Sequence, residues 1–169
     1  MNAIDLIVED EAWSAIDSLN GLIEKAFKAV SKELVDVELR PGVTAILLAD
    51  DNMIADLNQR FRDRTGPTNV LSFPAQAEIE NHLGDIALAY GVMEREARER
   101  GISLIDHIQH LVIHGFLHLQ GYDHLTDEDA ELMEAIEIRA LARLGVANPY
   151  RVPDADAMLT DAPASGEQP

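Results

Sequence analysis

The chain has 169 residues, 47% apolar and 26% charged, with 31 acidic against 13 basic side chains, a net charge of −18 and no cysteine. That size and balance are expected of one soluble globular domain with a real core, and they exclude a disordered chain, a disulfide framework and a membrane span, which needs an apolar run of roughly 18 residues. So acidic a chain also argues against loose nucleic-acid binding, because Lys and Arg supply most of that affinity.

In chain order, Ile4 to Val8 reads as a strand. The acidic start MNAIDLIVEDEAW has no basic segment of a secretory signal, so a cytoplasmic location is expected. An amphipathic helix is predicted from about Glu11 to Glu33, with Trp13, Ile16, Leu19, Ile23, Phe27 and Val30 at helical spacing. Val35 to Leu39 alternates apolar and acidic residues and reads as a strand. Pro41-Gly42 marks a turn, and Thr44 to Leu48 a further strand. Asp50 or Asp51 caps a helix reaching about Phe61. The polar loop RDRTGPT leads into the short strand NVLSF, and Leu83 to Ala89 reads as another strand.

Helices are predicted over Val92 to Glu99 and Ile105 to Leu119, the second stopped by Gly121. A last helix runs from about Asp127 to Leu144, with Thr126 as N-cap. From Val152 to Pro169 the chain is rich in Asp, Ala and Pro without periodicity. The expected organisation is one domain over 1–150 and a disordered acidic tail over 151–169. About four strands in a small mixed sheet and about five helices give an α/β (α+β) domain, without choosing its topology.

The densest signal is HLVIHGFLHLQGYDH, His110 to His124. From His114 it reads H-x-x-x-H-x-x-G-x-x-H, the ligand spacing of metzincin-type zinc peptidases. His114 and His118, four apart, share a helix face. Gly121 takes a positive φ and folds the chain back to bring His124 to the same point. Three neutral imidazoles leave a fourth place for water, the pattern of a catalytic zinc at a helix end. A transition metal here must be held by His and carboxylates, since there is no Cys. One Zn²⁺ is expected; nickel or another divalent ion suits imidazole as well.

His110, one turn before His114, reads as a group behind a ligand or facing substrate, and His107 and His82 as ordinary surface residues. Asp123 either orients an imidazole or only fixes the turn, and Asp85 has no assigned role. Gly115 stands where the peptidases carry their glutamate base. A helical Gly costs about 1 kcal/mol against Ala, so close approach of a strand, of substrate, or simple close packing must favour it. Peptide hydrolysis needs that carboxylate; RNA cleavage, with a better leaving group and a neighbouring 2′-hydroxyl, does not.

The second distinctive segment, LNQRFRDRTGPTNVLSF, carries Arg60, Arg62 and Arg64. Arg60 and Arg64 read as a solvated helix end. Arg62 is able to reach a phosphate through a bidentate fork. HGFLHLQGYDH together with PTNVLSFP and LGDI resembles the YbeY family of bacterial metal-dependent endoribonucleases, over about Asp50 to Leu144. The resemblance implies a compact α/β domain with a mixed sheet and zinc on His114, His118 and His124. It places the family's functional arginine on Arg62, with Phe61 where the family usually has tyrosine. It also implies single-strand-specific cleavage of RNA, 3′-end maturation of small-subunit (16S) ribosomal RNA, and ribosome quality control, with a ribosome or small-subunit ribosomal protein as partner presenting the RNA.

On that reading His114 and Arg62 are the catalytic residues. The zinc activates a water or polarises a phosphoryl oxygen, and Arg62 stabilises charge in the transition state. The attacking nucleophile, the cleavage site and the oligomeric state do not follow from the sequence. Two rivals remain: a zinc metallopeptidase, opposed by Gly115, and a non-catalytic ribosome-assembly factor with a structural metal.

Overall fold

The apolar runs pair into a four-stranded mixed sheet of order β1-β2-β4-β3, with β1 (Ile4–Val8), β2 (Val43–Ala49), β3 (Val70–Pro74) and β4 (His82–Ala89). β1, β2 and β4 run parallel and β3 is antiparallel to β4. The computed structural model describes residues 3–76 and 79–151. Nearly all of the tail expected over 151–169 therefore lies outside the described residues. The central strand β2 and residues 86–89 of β4 are almost continuously apolar because both faces are covered there.

Five helices complete the domain: α1 (Leu19–Glu33), α2 (Asp51–Arg62), α3 (Tyr90–Arg100), α4 (Leu104–Leu119) and α5 (Asp127–Arg143). Three are capped as their sequences dictate. Side chains of Asp50, Ser103 and Thr126 accept from the backbone N–H of Met53, Asp106 and Asp129. α1, α4 and α5 pack together over one face of the sheet, around Ile46, Leu48, Ile86, Phe116 and Ile136. On the other face α2 covers a smaller cluster built from Ile54, Leu71, Ala87 and Ala89.

α4 is the axis of the fold. It touches α1, α3, α5 and the two strands β3 and β4, and both its middle turns and its flanks are buried. Gly115 lies where α4 meets the sheet. A Cβ there would sit 3.0–3.2 Å from three carbons of Ile86 on β4. Close approach of a strand is therefore what favours glycine, and the same contact leaves no room for a glutamate at that position.

Two expectations are corrected. The long helix expected from Glu11 is interrupted: a short 3-10 helix (Glu11–Ala15) ends before Ser18, which takes a left-handed conformation, φ 56°. Tertiary demand explains the break, since the buried Trp13 indole donates to the Ala49 carbonyl at 2.9 Å and packs edge-on to Tyr90. Val35 to Leu39 is a turn and irregular chain, not a strand. β1 and β3 are the sheet's edges and neither pairs with it, so Val35 and Val37 stay exposed. Alternation alone does not make a strand without a partner to complete its ladder.

Candidate metal centre

The C-terminal end of α4 builds the site. Gly121 at φ 97° closes the helix: the N–H of Tyr122 reaches back to the Leu117 carbonyl and that of Gly121 to His118. This is a Schellman turn, which only a residue tolerant of positive φ makes cheaply. The turn swings His124 back over α4. One ligand nitrogen from each of His114, His118 and His124 then lies within 4.8 Å of the others. The three side chains that the spacing singled out do converge.

Their protons are fixed from behind. His118 Nδ1 lies 3.0 Å from the Tyr122 carbonyl oxygen, which only accepts, so Nδ1 carries the hydrogen. His114 Nδ1 faces the Glu137 carboxylate at 3.4 Å and likewise donates. With both rings neutral, each Nε2 keeps a lone pair, and the two atoms stand 3.1 Å apart. Two lone pairs at that separation repel unless a proton or a metal cation lies between them. A tetrahedral zinc with Zn–N distances of about 2.0–2.1 Å separates neighbouring ligand nitrogens by roughly 3.3 Å. The donor set thus fits such an ion in chemistry and in spacing. Burial first, and then the nearness of His114, hold the His118 imidazole below its ordinary pKa, which keeps it neutral as ligation requires.

Glu137, on α5, is fully buried and was not anticipated. Its Oε1 accepts from His110 Nε2 at 2.7 Å and from the Tyr150 hydroxyl at 2.7 Å. Burial pushes its carboxyl up, but the His110 and His114 bonds outweigh that and bring it down to about 2. A signal for it existed. Glu137 falls in the apolar phase of α5 with Met133, Ala140 and Leu141, and a carboxylate there needs partners. Tyr150, by contrast, had none.

The other histidines are placed differently from one another. His110 is buried on Glu137 and does not line the cleft that His114, His118 and His124 open into. His107, expected at the surface, is buried at 1% exposure, with Nε2 2.8 Å from Glu96. It sits on the face of α4 that α3 covers, and a single sequence does not show which face a helix neighbour occupies. His82 is half-buried beside Asp85 at 3.4 Å. Asp123 accepts from the His124 backbone N–H at 2.8 Å, so it fixes the turn.

The histidines open into a cleft of about 960 Å³, walled opposite by the loop after α2 and by β3. That volume is at the upper end for ligand clefts. Arg40, Arg62 and Arg64 line it, against Asp123 as the one carboxylate among its described lining residues. A chain of net charge −18 therefore carries a locally basic cleft. Arg62 is held by donating from Nη2 to the Ser72 carbonyl at 2.5 Å, with its guanidinium 4.8 Å from the centre of the Phe73 ring. The Arg60 expectation holds, as it pairs with Asp56 on the surface of α2. Arg64 departs from it: α2 ends at Arg62, Asp63 turns left-handed, and Arg64 joins the cleft. Arg40 is brought in from the chain before β2, where the Gln120 amide brackets its backbone N–H and carbonyl.

Three imidazoles closing on one point, in a cleft edged by arginines, are a group able to hold a metal ion. Comparison with known proteins narrows this. The family model described as Endoribonuclease YbeY matches residues 7–145. A relative named Endoribonuclease YbeY from Maricaulis maris is 61% identical over 150 residues, covering 89% of this chain and 92% of that one. Its namesake from Methylocella silvestris is 45% identical over 166 residues, covering 96% and 94%. The solution structure of TM1509 from Thermotoga maritima superposes with a TM-score of 0.54 at 28% identity, over 88% of this chain and 99% of that one. The chain belongs to the YbeY endoribonuclease family.

Proposed function

We propose that this chain is a zinc-dependent endoribonuclease that cuts single-stranded RNA in the cytoplasm, in 3′-end maturation of small-subunit (16S) ribosomal RNA and in ribosome quality control. His114, His118 and His124 hold one Zn²⁺, and Arg62 engages the scissile phosphate. The observation that carries the reading is the facing pair of Nε2 atoms on His114 and His118, with His124 beside them, inside an arginine-lined cleft.

A zinc ion bound there supplies Lewis acidity, polarising a phosphoryl oxygen or bringing the pKa of a water to about 7. The chain's own residues do the rest. His114 Nδ1 and His118 Nδ1 keep their protons on Glu137 and on the Tyr122 carbonyl, so both rings turn Nε2 toward the same point. Arg62 enters the site with its guanidinium already fixed by Ser72 and Phe73, and its remaining N–H groups are free to fork onto a phosphate without reorganisation. Arg64 and Arg40 extend the positive edge along which a strand of RNA lies, and that edge offsets the acidic surface elsewhere. A ribosome or one of its small-subunit proteins presents the strand, since a chain of net charge −18 gains little from bulk electrostatics.

The metallopeptidase alternative has lost its footing at Gly115, where Ile86 occupies the space of the missing glutamate. The test compares wild type with His114→Ala for bound zinc and for cleavage of single-stranded RNA. A His114→Ala protein that is metal-free and still cleaves at the wild-type rate refutes the proposal.

A further inference from the structure

Among the described residues lining the cleft the one carboxylate is Asp123, which accepts from the His124 backbone N–H. Among the described residues, Glu137 is the carboxylate that hydrogen-bonds an imidazole of the cluster. It stands on α5, 23 residues from His114 in sequence, and is wholly buried. Three donors converge on its two oxygens: His110 Nε2 and the Tyr150 hydroxyl on Oε1 at 2.7 Å each, and His114 Nδ1 at 3.4 Å. A buried carboxylate is costly unless its lone pairs are met in this way, and here the partners also restrict how it sits. His110 and Tyr150 clamp Oε1, and their rings pack edge-on with centres 5.4 Å apart. The clamp leaves the carboxylate aimed at the back of the His114 ring.

We infer that Glu137 is a positioning residue of the metal centre: it fixes His114 with hydrogen on Nδ1 and a lone pair on Nε2, and the His110–Tyr150 clamp fixes Glu137. His114 thus has for its orienter a side chain from another helix, whereas His118 relies on the Tyr122 carbonyl of its own turn. A carboxylate behind an imidazole raises its basicity as well as setting its orientation, and loss of such a partner typically costs 10–100-fold in metal affinity. The inference rests on the reading of His114 as a ligand and adds the residue that makes it one. It also assigns work to Tyr150, which follows α5 and ties the end of the described chain to the site.

The experiment has two parts. Zn²⁺ affinity of wild type, Glu137→Gln and His114→Ala is measured by competition with a chromophoric chelator. The expected result is a 10–100-fold weaker affinity for Glu137→Gln, with His114→Ala weaker still. Wild-type affinity in a folded Glu137→Gln protein overturns the inference and leaves the metal centre standing. Wild type binding Zn²⁺ no better than His114→Ala overturns the metal centre itself. The second part needs no variant to fold: long-range ¹H–¹⁵N spectra of metal-free wild type report which ring nitrogen of His114 is protonated. Hydrogen on Nδ1 is the expected outcome, and hydrogen on Nε2 overturns the assignment to Glu137.

Discussion

His114 and His118 face each other through Nε2 atoms 3.1 Å apart, while the acceptor behind each ring claims its proton on Nδ1. The local spacing of α4 brings the rings together, and the remainder of the fold decides which nitrogen of each is bare. A pair held this way is a liability in the free protein and an asset once a cation is shared. Metal and stability should therefore be linked.

Zinc at 100 times its dissociation constant should stabilise the fold by about 2.7 kcal/mol. In a domain of this size each kcal/mol moves Tm by roughly 2–4 °C, so a rise of about 5–10 °C is expected by calorimetry. His118→Ala should abolish the rise while leaving the metal-free protein folded. An equal rise in that variant would mean that zinc binds elsewhere.

Gly115 sets the distance between α4 and the sheet. Gly115→Ala gains about 1 kcal/mol of helix propensity but drives a methyl to within 3.0–3.2 Å of Ile86, and overpacking of that kind costs typically 1–3 kcal/mol. Urea denaturation should show a net loss for Gly115→Ala, reversed to a gain in an Ile86→Ala background. Additive effects in that double-mutant cycle would remove Ile86 as the cause. Gly115→Glu should cost more than either and should yield no peptidase activity.

Arg62 is anchored through the two features a lysine lacks, a planar face on Phe73 and a fork able to reach Ser72 and a phosphate together. Arg62→Ala and Arg62→Lys should both lower cleavage of single-stranded RNA by about 10²–10³-fold, with unchanged circular dichroism and zinc content. Full activity in Arg62→Lys would reduce the residue to a simple positive charge. Arg64→Ala should instead act on binding, lowering the salt-dependence slope by roughly 0.7.

Glu33 joins α1 to α5, accepting from Arg139 Nε at 2.7 Å and from Arg143 Nε at 2.5 Å. The Arg143 and then the Arg139 hydrogen bonds hold its carboxyl below the ordinary range. A carboxyl lowered in the folded state contributes stability that is complete above the unfolded value of about 4.3 and is lost as pH falls through the folded one. Wild type should therefore exceed Glu33→Gln in stability at pH 7 and 6, with the gap closing as pH falls below the unfolded value of about 4.3. A gap independent of pH would assign the effect to packing.

Much of this protein was legible before any coordinates. The helices α2, α4 and α5 announce themselves by apolar period and by Asp50 and Thr126 at their starts, and His114, His118 and His124 by spacing around Gly121. Each of these signals is local: residues three or four apart on a helix, or three across a turn, meet whatever the rest of the chain does. For the same reason the sequence misled at Val35 to Leu39, where alternation is present but a pairing strand is not, and at Ser18, where burial of Trp13 broke a run that reads as one helix.

The tertiary structure alone decided what stands behind and across from the histidines. Glu137 and Tyr150 come from beyond the motif, Arg40 comes from 74 residues before His114 in the chain, and Arg64 leaves its helix to share a cleft with Arg62. His107 and His110 look alike in the sequence, yet one meets Glu96 and the other Glu137. Helical periodicity specifies which side chains share a stripe but not what packs on it, and a buried polar group takes its role from the partner it finds. That is why the three converging histidines could be picked out from spacing, while the carboxylate behind His114 could be found only in the packed domain.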